Sequence, residues 1–502
     1  MKRICSDIII FAVTAAVTLS AGCKKVLDIN EDPNNPGLEN ATPEVLFPSG
    51  VMSTAGMVGG QLAIVGGIWS QFWAQSSNSS QYREIDAYNL TSTSEEVNLS
   101  YQELFAGALN DYKLAIEKSY EREDWRYNLM LQVMRAYTYQ VLVDLYDKVP
   151  YTQALQGQAN LQPEFDEGYT IYVALIDSIN NALAKDFKSQ PFDQGQRNSD
   201  FVFAGDLNKW EQFANTLKLK FYLRMVNARP EEAAAGIREL YQNGGNFLQE
   251  NAGVNVFQDI PNKSNPFYEF NIRRLNTTTN IRASFTFASW LIANNEPRST
   301  LYFGTQTPIG IHQGDYTATL QQQPTYPNAT VFVQRATDPV WFISAAESYF
   351  MQAEALERYF GGAGAPEMYN AGVTAAFAQA GLSAAAAAFI APGGRYAYPA
   401  TGSFEQKLEA IITQKWASLP GSHALEAFFE HNRTGYPAVS PIYSTTPGYI
   451  PGRWVYSRNG VTGPGNFPER FPFPDYERSR NRNTPPDANP SFPVIAKVWW
   501  AK

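Results

Sequence analysis

Residues 125–146 read WRYNLMLQVMRAYTYQVLVDLY, and this stretch decides the fold class. Leu129, Val133, Ala136, Tyr137, Val141 and Leu145 recur at the 3.6-residue period of a helix, which predicts one amphipathic helix with a single buried stripe. The same period returns in residues 165–183, 207–226, 340–359 and 404–429. Helices of roughly 20 residues, paired across short turns, predict a mainly α protein built of stacked hairpins of the tetratricopeptide type, although no clean 34-residue repeat is visible. Between these blocks, residues 243–280, 297–339 and 436–493 lack helical period and are rich in Asn, Gly, Pro and Tyr. Loops of this length in a compact protein are usually functional or packed on a scaffold, so they are the expected binding surface.

Working outward to the N-terminus, Lys2 and Arg3 precede an apolar run from Ile8 to Leu19, then Ser20, Ala21, Gly22 and Cys23. This order predicts a secretory signal over residues 1–22. As a helix the apolar run spans roughly 18 Å against a hydrocarbon core of roughly 30 Å, too short for a permanent span. Cys23 after small residues fits a lipobox, with Ser20 standing where Leu is commonest and Leu19 one place early. Lipidation at Cys23 would make a lasting anchor, and Lys24 and Lys25 suit an anionic membrane surface. The other cysteine, Cys5, leaves with the signal, so the mature chain has no disulfide and depends on its core. Loss of Lys2, Arg3 and Asp7 takes the net charge from -9 to -10, which argues against nucleic acid.

Residues 23–43 are expected to form the anchor and a polar tether. Within it Asp28, Asn30, Asp32, Asn34 and Glu39 occupy positions 1, 3, 5, 7 and 12 of a calcium-loop spacing. Pro33 stands where such loops need Gly, so a solvated turn is the preferred reading. No cofactor is expected. The three histidines, His312, His423 and His431, form no HExxH pattern, and phosphate loops, dinucleotide fingerprints and nucleophile elbows are absent from the sequence. His423, Glu426, Glu430 and His431 are close in sequence, but histidines eight residues apart on a helix lie roughly 12 Å apart, too far for one ion. Ordinary hydrogen bonds at a helix end are the expectation for all four.

Aromatic side chains make up 14% of the chain and gather in the irregular segments. Trp69, Trp73 and Tyr82 early on, and Tyr316, Tyr326 and Trp341 later, lie among Gln and Asn. Such a mixture can stack a sugar ring or a peptide side chain while amides and hydroxyls meet its polar groups, so these six are the candidate ligand-binding residues. By contrast Trp210, Phe213, Leu217 and Phe221 fall on one helical face and read as core.

Several segments together resemble the SusD/RagB family of nutrient-binding outer-membrane lipoproteins, in the branch that begins with Asp-Pro-Asn-Asn-Pro. That motif stands at residues 32–36, DLYDKVPYTQAL at 144–155, WEQFANTLKLKFYLRM at 210–225 and AAESYFMQAEAL at 345–356. ITQKWASLPG at 412–421 with EAFFEHNRTGYP at 426–437 is similar to the family's most diagnostic stretch, and RFPFP at 470–474 and Val498-Trp499-Trp500 complete the set. The resemblance implies a SusD-like fold over residues 44–502 as one helical domain. It further implies a non-enzymatic lipoprotein at the outer membrane, facing the cell surface, that binds an oligosaccharide or peptide and passes it, as a lid, to a SusC-like TonB-dependent barrel. A surface glycan hydrolase and a periplasm-facing helical scaffold are the competing readings. Starch, other glycans, glycopeptides and peptides all remain open as ligands.

Overall fold

The structure, a computed structural model, describes residues 41–502. The signal, Cys23, the calcium-loop spacing, the Asp-Pro-Asn-Asn-Pro motif and the tether as far as residue 40 lie outside the described residues; the end expected for the tether is corrected, since Pro43 already opens a helix. Twelve helices of nine residues or more are found among those described: α1 (Pro43–Val58), α2 (Gln61–Trp69), α3 (Asn110–Glu121), α4 (Trp125–Tyr146), α5 (Gly168–Leu183), α6 (Leu207–Met225), α7 (Pro230–Gln242), α8 (Phe285–Ala293), α9 (Ala345–Tyr359), α10 (Ala365–Gln379), α11 (Phe404–Ser418) and α12 (Ala424–Thr434). Consecutive members pack as hairpins, α3 on α4, α4 on α5, α6 on α7 and α9 on α10, which is the stacked-pair architecture expected. Three two-stranded antiparallel pairs join distant loops: β1 (Trp73–Gln75) with β5 (Ile281–Ala283), β2 (Lys148–Val149) with β3 (Asp166–Glu167), and β4 (Ala252–Val254) with β6 (Val340–Ile343).

α4 is more than an amphipathic helix. Asp124 caps it by accepting from the Tyr127 N–H at 3.4 Å, and every residue except Trp125, Arg126 and Arg135 is buried. Its Leu, Val and Tyr stripe is one side of a helix enclosed by α1, α3, α5 and α6. In α6, Trp210, Phe213, Leu217 and Phe221 are all fully buried, as their shared face required.

Two predicted helices are corrected. The 340–359 stretch starts as β6, because Val-Trp-Phe-Ile favours an extended backbone and Ser344 then caps α9 by accepting from the Glu347 N–H at 3.1 Å. The 404–429 stretch is two helices, since Pro420 lacks a donor and Gly421 sits at φ +121° between α11 and α12. α1 and α2 escaped the periodicity because they are apolar on nearly all sides. Pro43–Trp69 is apolar enough by composition to cross a membrane, yet 83% of its most apolar window is buried inside the protein, so its apolarity is that of a core.

Between α4, α6, α9, α11 and α12 lies a buried ionic lattice. Lys220 meets Glu347 at 2.7 Å, and Arg224 meets Asp144 at 3.1 Å and Glu426 at 2.8 Å. Lys415 reaches Glu426 at 3.3 Å and Glu430 at 3.4 Å, and Arg433 donates to both Glu354 and Glu430 at 2.6 Å. The expectation of ordinary helix-end hydrogen bonds for His423, Glu426, Glu430 and His431 is therefore corrected: the glutamates pair with cations, while His431 stacks on Trp454 with ring centroids 3.9 Å apart. Among the described residues no three His, Cys, Asp or Glu side chains converge as a metal set.

Candidate ligand-binding cleft

The C-terminal irregular segment folds back on itself at a short neck, where the Ser440 N–H donates to the Trp454 carbonyl at 2.8 Å and the Trp454 N–H to the Ala438 carbonyl at 3.0 Å. Beyond the neck two arms diverge and enclose an open cleft of about 540 Å³, whose wall includes Ile442, Tyr443, Tyr456 and Arg458. Gln71 holds the second arm to the scaffold, donating from its amide to the Val455 carbonyl at 2.8 Å and accepting from the Val455 N–H at 3.2 Å.

The cleft rests on residues 311–326. Gly314, at φ +75°, lets the two segments touch: a Cβ there would stand 2.1 Å from Ser457 Oγ and 2.5 Å from the Arg458 nitrogen. The Arg458 guanidinium lies over the Tyr443 ring at 5.1 Å and donates to Asp315 at 2.8 Å. Arg458 is half in solvent, its side chain 52% exposed, whereas Asp315 is 2% exposed and also accepts from the Tyr326 hydroxyl at 2.8 Å. The Tyr443 hydroxyl donates to the Gln313 carbonyl at 2.6 Å, which fixes the ring's tilt. Behind them His312 shares a 2.7 Å hydrogen bond with Ser444 and packs on Phe285 at 4.1 Å. Burial lowers the His312 imidazole to about 4, so it braces the arm as a neutral group. The planar Arg458 cation over Tyr443 and a second ring, Tyr456, can stack on an apolar ring face and donate hydrogen bonds to its substituents.

The six nominated aromatic residues separate in space. Trp69 and Trp73 are core, not ligand surface: Trp69 donates to the Ile85 carbonyl at 3.0 Å and packs on Phe428, and Trp73 donates to the Ile64 carbonyl at 3.2 Å and packs on Phe267 and Phe332. Tyr82 is buried with its hydroxyl on Asn271 at 3.0 Å. Tyr316 is buried with the Arg83 guanidinium 5.3 Å over its ring, and buried Tyr326 supports the cleft from beneath through Asp315. Trp341 alone of the six is half-buried, at the wall of a separate smaller cleft. Their setting among Gln and Asn had suggested a binding surface, but Trp69 ends α2, Trp73 lies in β1, and five of the six rings are buried as apolar contacts of the scaffold. Tyr443, Tyr456 and Arg458 were missed, although the run Tyr456-Ser-Arg-Asn-Gly460 carries the aromatic, cationic and turn residues of such an arm.

Fold and cleft together define a helical-hairpin scaffold that carries its surface chemistry on long loops. The chain belongs to the SusD-like family: a family model described as "Starch-binding associating with outer membrane" matches residues 38–457. Similar solved structures include a SusD homolog from Bacteroides uniformis, 21% identical with a TM-score of 0.73, covering 91% of this chain and 99% of that one. A SusD/RagB family protein from Bacteroides thetaiotaomicron is 19% identical with a TM-score of 0.72 over 91% and 98%. A chitin-binding SusD homolog from Flavobacterium johnsoniae is 19% identical with a TM-score of 0.71 over 90% and 98%. No curated protein matches.

Proposed function

We propose that this protein is a surface-exposed lipoprotein, anchored through Cys23, that captures an oligosaccharide or peptide nutrient and delivers it to a SusC-like TonB-dependent barrel as that barrel's lid, with no bond broken. The observation that carries the reading is the Tyr443–Arg458–Tyr456 cleft, held open by buried Asp315 and Tyr326. The family's description as starch-binding and the chitin-binding relative support an oligosaccharide over a peptide. One stacked ring gains on the order of 1 kcal/mol at about 25 cal/mol/Å² of buried apolar area, so two rings alone bind weakly. Enclosure against a barrel would supply the rest, and a tether from Cys23 would keep the two at high effective concentration.

The test has two arms. Titration calorimetry of the mature chain against malto- and chitooligosaccharides should show binding that Tyr443→Ala or Arg458→Ala weakens at least tenfold while circular dichroism shows each variant still folded at the assay temperature. Affinities left unchanged by both substitutions would remove the cleft from the reading. Mild-detergent purification of the tagged protein from native membranes should recover a large barrel subunit, and protease treatment of intact cells should cleave it. A lone monomer, or a chain protected in intact cells, would remove the transport role.

A further inference from the structure

One side of α1 faces outward along its length: Val45, Ser49, Met52 and Gly56 recur at the spacing of a single helical face, and none of them is buried. At the far end of this stripe Met52 and Gly56 join Phe201, Val256, Phe257 and Phe270 in an open groove of about 420 Å³. Its floor is bare at Gly56, where a Cβ would meet nothing within 4 Å. Lys263 and Arg274 also line the groove, and the Arg274 guanidinium lies over the Phe270 ring at 4.5 Å. The carboxylates nearby are already engaged, since Arg273 meets Asp259 at 2.5 Å and Glu269 at 3.2 Å. Among the described residues this leaves Lys263 and Arg274 with no carboxylate partner. An apolar groove with two uncompensated cations calls for an acidic occupant that carries apolar side chains.

Residues 26–40, VLDINEDPNNPGLEN, have that chemistry: Val26, Leu27, Ile29 and Leu38 stand among Asp28, Glu31, Asp32 and Glu39, with no Lys or Arg. They join the described residues at Ala41, where the outward stripe of α1 begins. From Thr42 to Met52 and Gly56 the stripe runs roughly 15–21 Å, which an extended chain covers in about five or six residues. We propose that residues 26–35 return along α1 and dock in this groove, Leu27 and Ile29 seated on its apolar wall and Asp28, Glu31 and Asp32 set against Lys263 and Arg274. Leu27 and Ile29 are two apart, so an extended backbone presents both to one side. Covalent attachment holds the segment at a high effective concentration, which offsets the modest affinity of two aliphatic side chains. Where Cys23 carries a lipid, release of the segment gives the domain about 60 Å of chain on its anchor, and docking withdraws most of it. That consequence rests on the anchor reading; the docking does not.

The chain from residue 23 onward, with Cys23→Ser, holds no other cysteine, so engineered pairs report the docking without a lipid. Asn30→Cys is combined either with Gln258→Cys at the groove or with Glu121→Cys as a control. Glu121 is exposed and adjoins Arg122, which meets Glu44 in the first turn of α1 at 2.6 Å, so an undocked segment reaches it readily. Under mild oxidation the pair with Gln258→Cys should close at least tenfold faster than the pair with Glu121→Cys, as read by mass spectrometry. Leu27→Ser with Ile29→Ser, outside the folded domain, should bring the two rates together, and so should Gly56→Leu or Lys263→Glu with Arg274→Glu. Equal rates in the unsubstituted background would overturn the proposal, as would a preference that survives these substitutions. A cross-link at Gln258→Cys that forms between molecules and slows on dilution would assign the groove to a second copy and overturn it equally.

Discussion

Arg433 is 1% exposed and holds two carboxylates, Glu354 from α9 and Glu430 one turn back on α12, each at 2.6 Å. A cation near the end of a helix is what the orphan carbonyls favour, and α12 does end at Thr434 with Gly435 left-handed at φ +81°. The guanidinium nevertheless turns inward, because Glu354 and Glu430 are buried and need a fixed planar partner. Arg433→Met leaves both carboxylates buried and facing each other, so urea unfolding should show a loss of about 3–5 kcal/mol. Arg433→Lys should recover only part of it, since an ammonium cannot fork to two carboxylates in that plane. A loss below about 1 kcal/mol for Met would contradict the account. No local pattern could pair Arg433 with a glutamate 79 residues away.

At the scale of elements, α2 and α12 approach until backbone meets backbone. A Cβ on Gly66 would lie 2.4 Å from both the Cα and the nitrogen of Leu425, and one on Gly67 would lie 1.9 Å from the Trp73 ring. Neither neighbour has a flexible end to move aside. Gly66→Ala must therefore separate the helices, with an expected loss of about 1–3 kcal/mol despite alanine's better helix propensity. An unchanged or raised urea midpoint would show that the contact gives way freely. These helices also mark where periodicity stops being informative. α5 shows its face because it leaves a polar side in water, whereas all nine residues of α2 are buried and leave no polar face to set a period. The caps are more local and more legible: Ser403 and Gln406 form a capping box that starts α11 where the sequence placed a helix start.

Across the whole molecule, buried ionisable groups couple folding to pH in two directions. Burial would raise Glu426, but Arg224, Lys220 and Lys415 outweigh it and hold the carboxyl at about 2, and Arg433, Lys415 and Arg224 hold Glu430 well below the usual range. A depressed carboxylate stabilises above its unfolded value near 4.5 and loses that contribution as pH falls through the folded value. The three buried histidines act in the same sense from about 6.5 downward, because burial lowers them to between about 3 and 4 and the unfolded chain binds protons first. Urea midpoints should therefore fall steeply below pH 4. Burial pushes Glu469 the other way, up to about 7, so the unfolded chain gives up that proton first and the contribution is lost as pH rises from about 4.5 to 7. Glu469→Gln should accordingly gain stability relative to the wild type between pH 5 and pH 8, measured as the difference in urea midpoint at each pH. A constant difference would refute the assignment. Most buried apolar side chains from Phe47 to Trp500 form one continuous cluster, beside a small second one at Ala74, Ile311, Tyr326 and Ala329, and we propose on that ground that residues 44–502 act as one domain.

Sequence alone was enough for the mainly helical class, the hairpin pairing, the core face of α6 and the family, because helical period, caps and motif order are local properties of the chain. Tertiary structure decided which aromatic rings face solvent and which charges pair. An element buried on all sides has no polar face to set a period, so Trp69 at the end of α2 and Trp73 in β1 could read as binding residues and yet be core. The charges of the loop cleft find partners from far along the chain: Arg458 meets Asp315 across 143 residues, and only the packed loops bring them to the lip of one cleft.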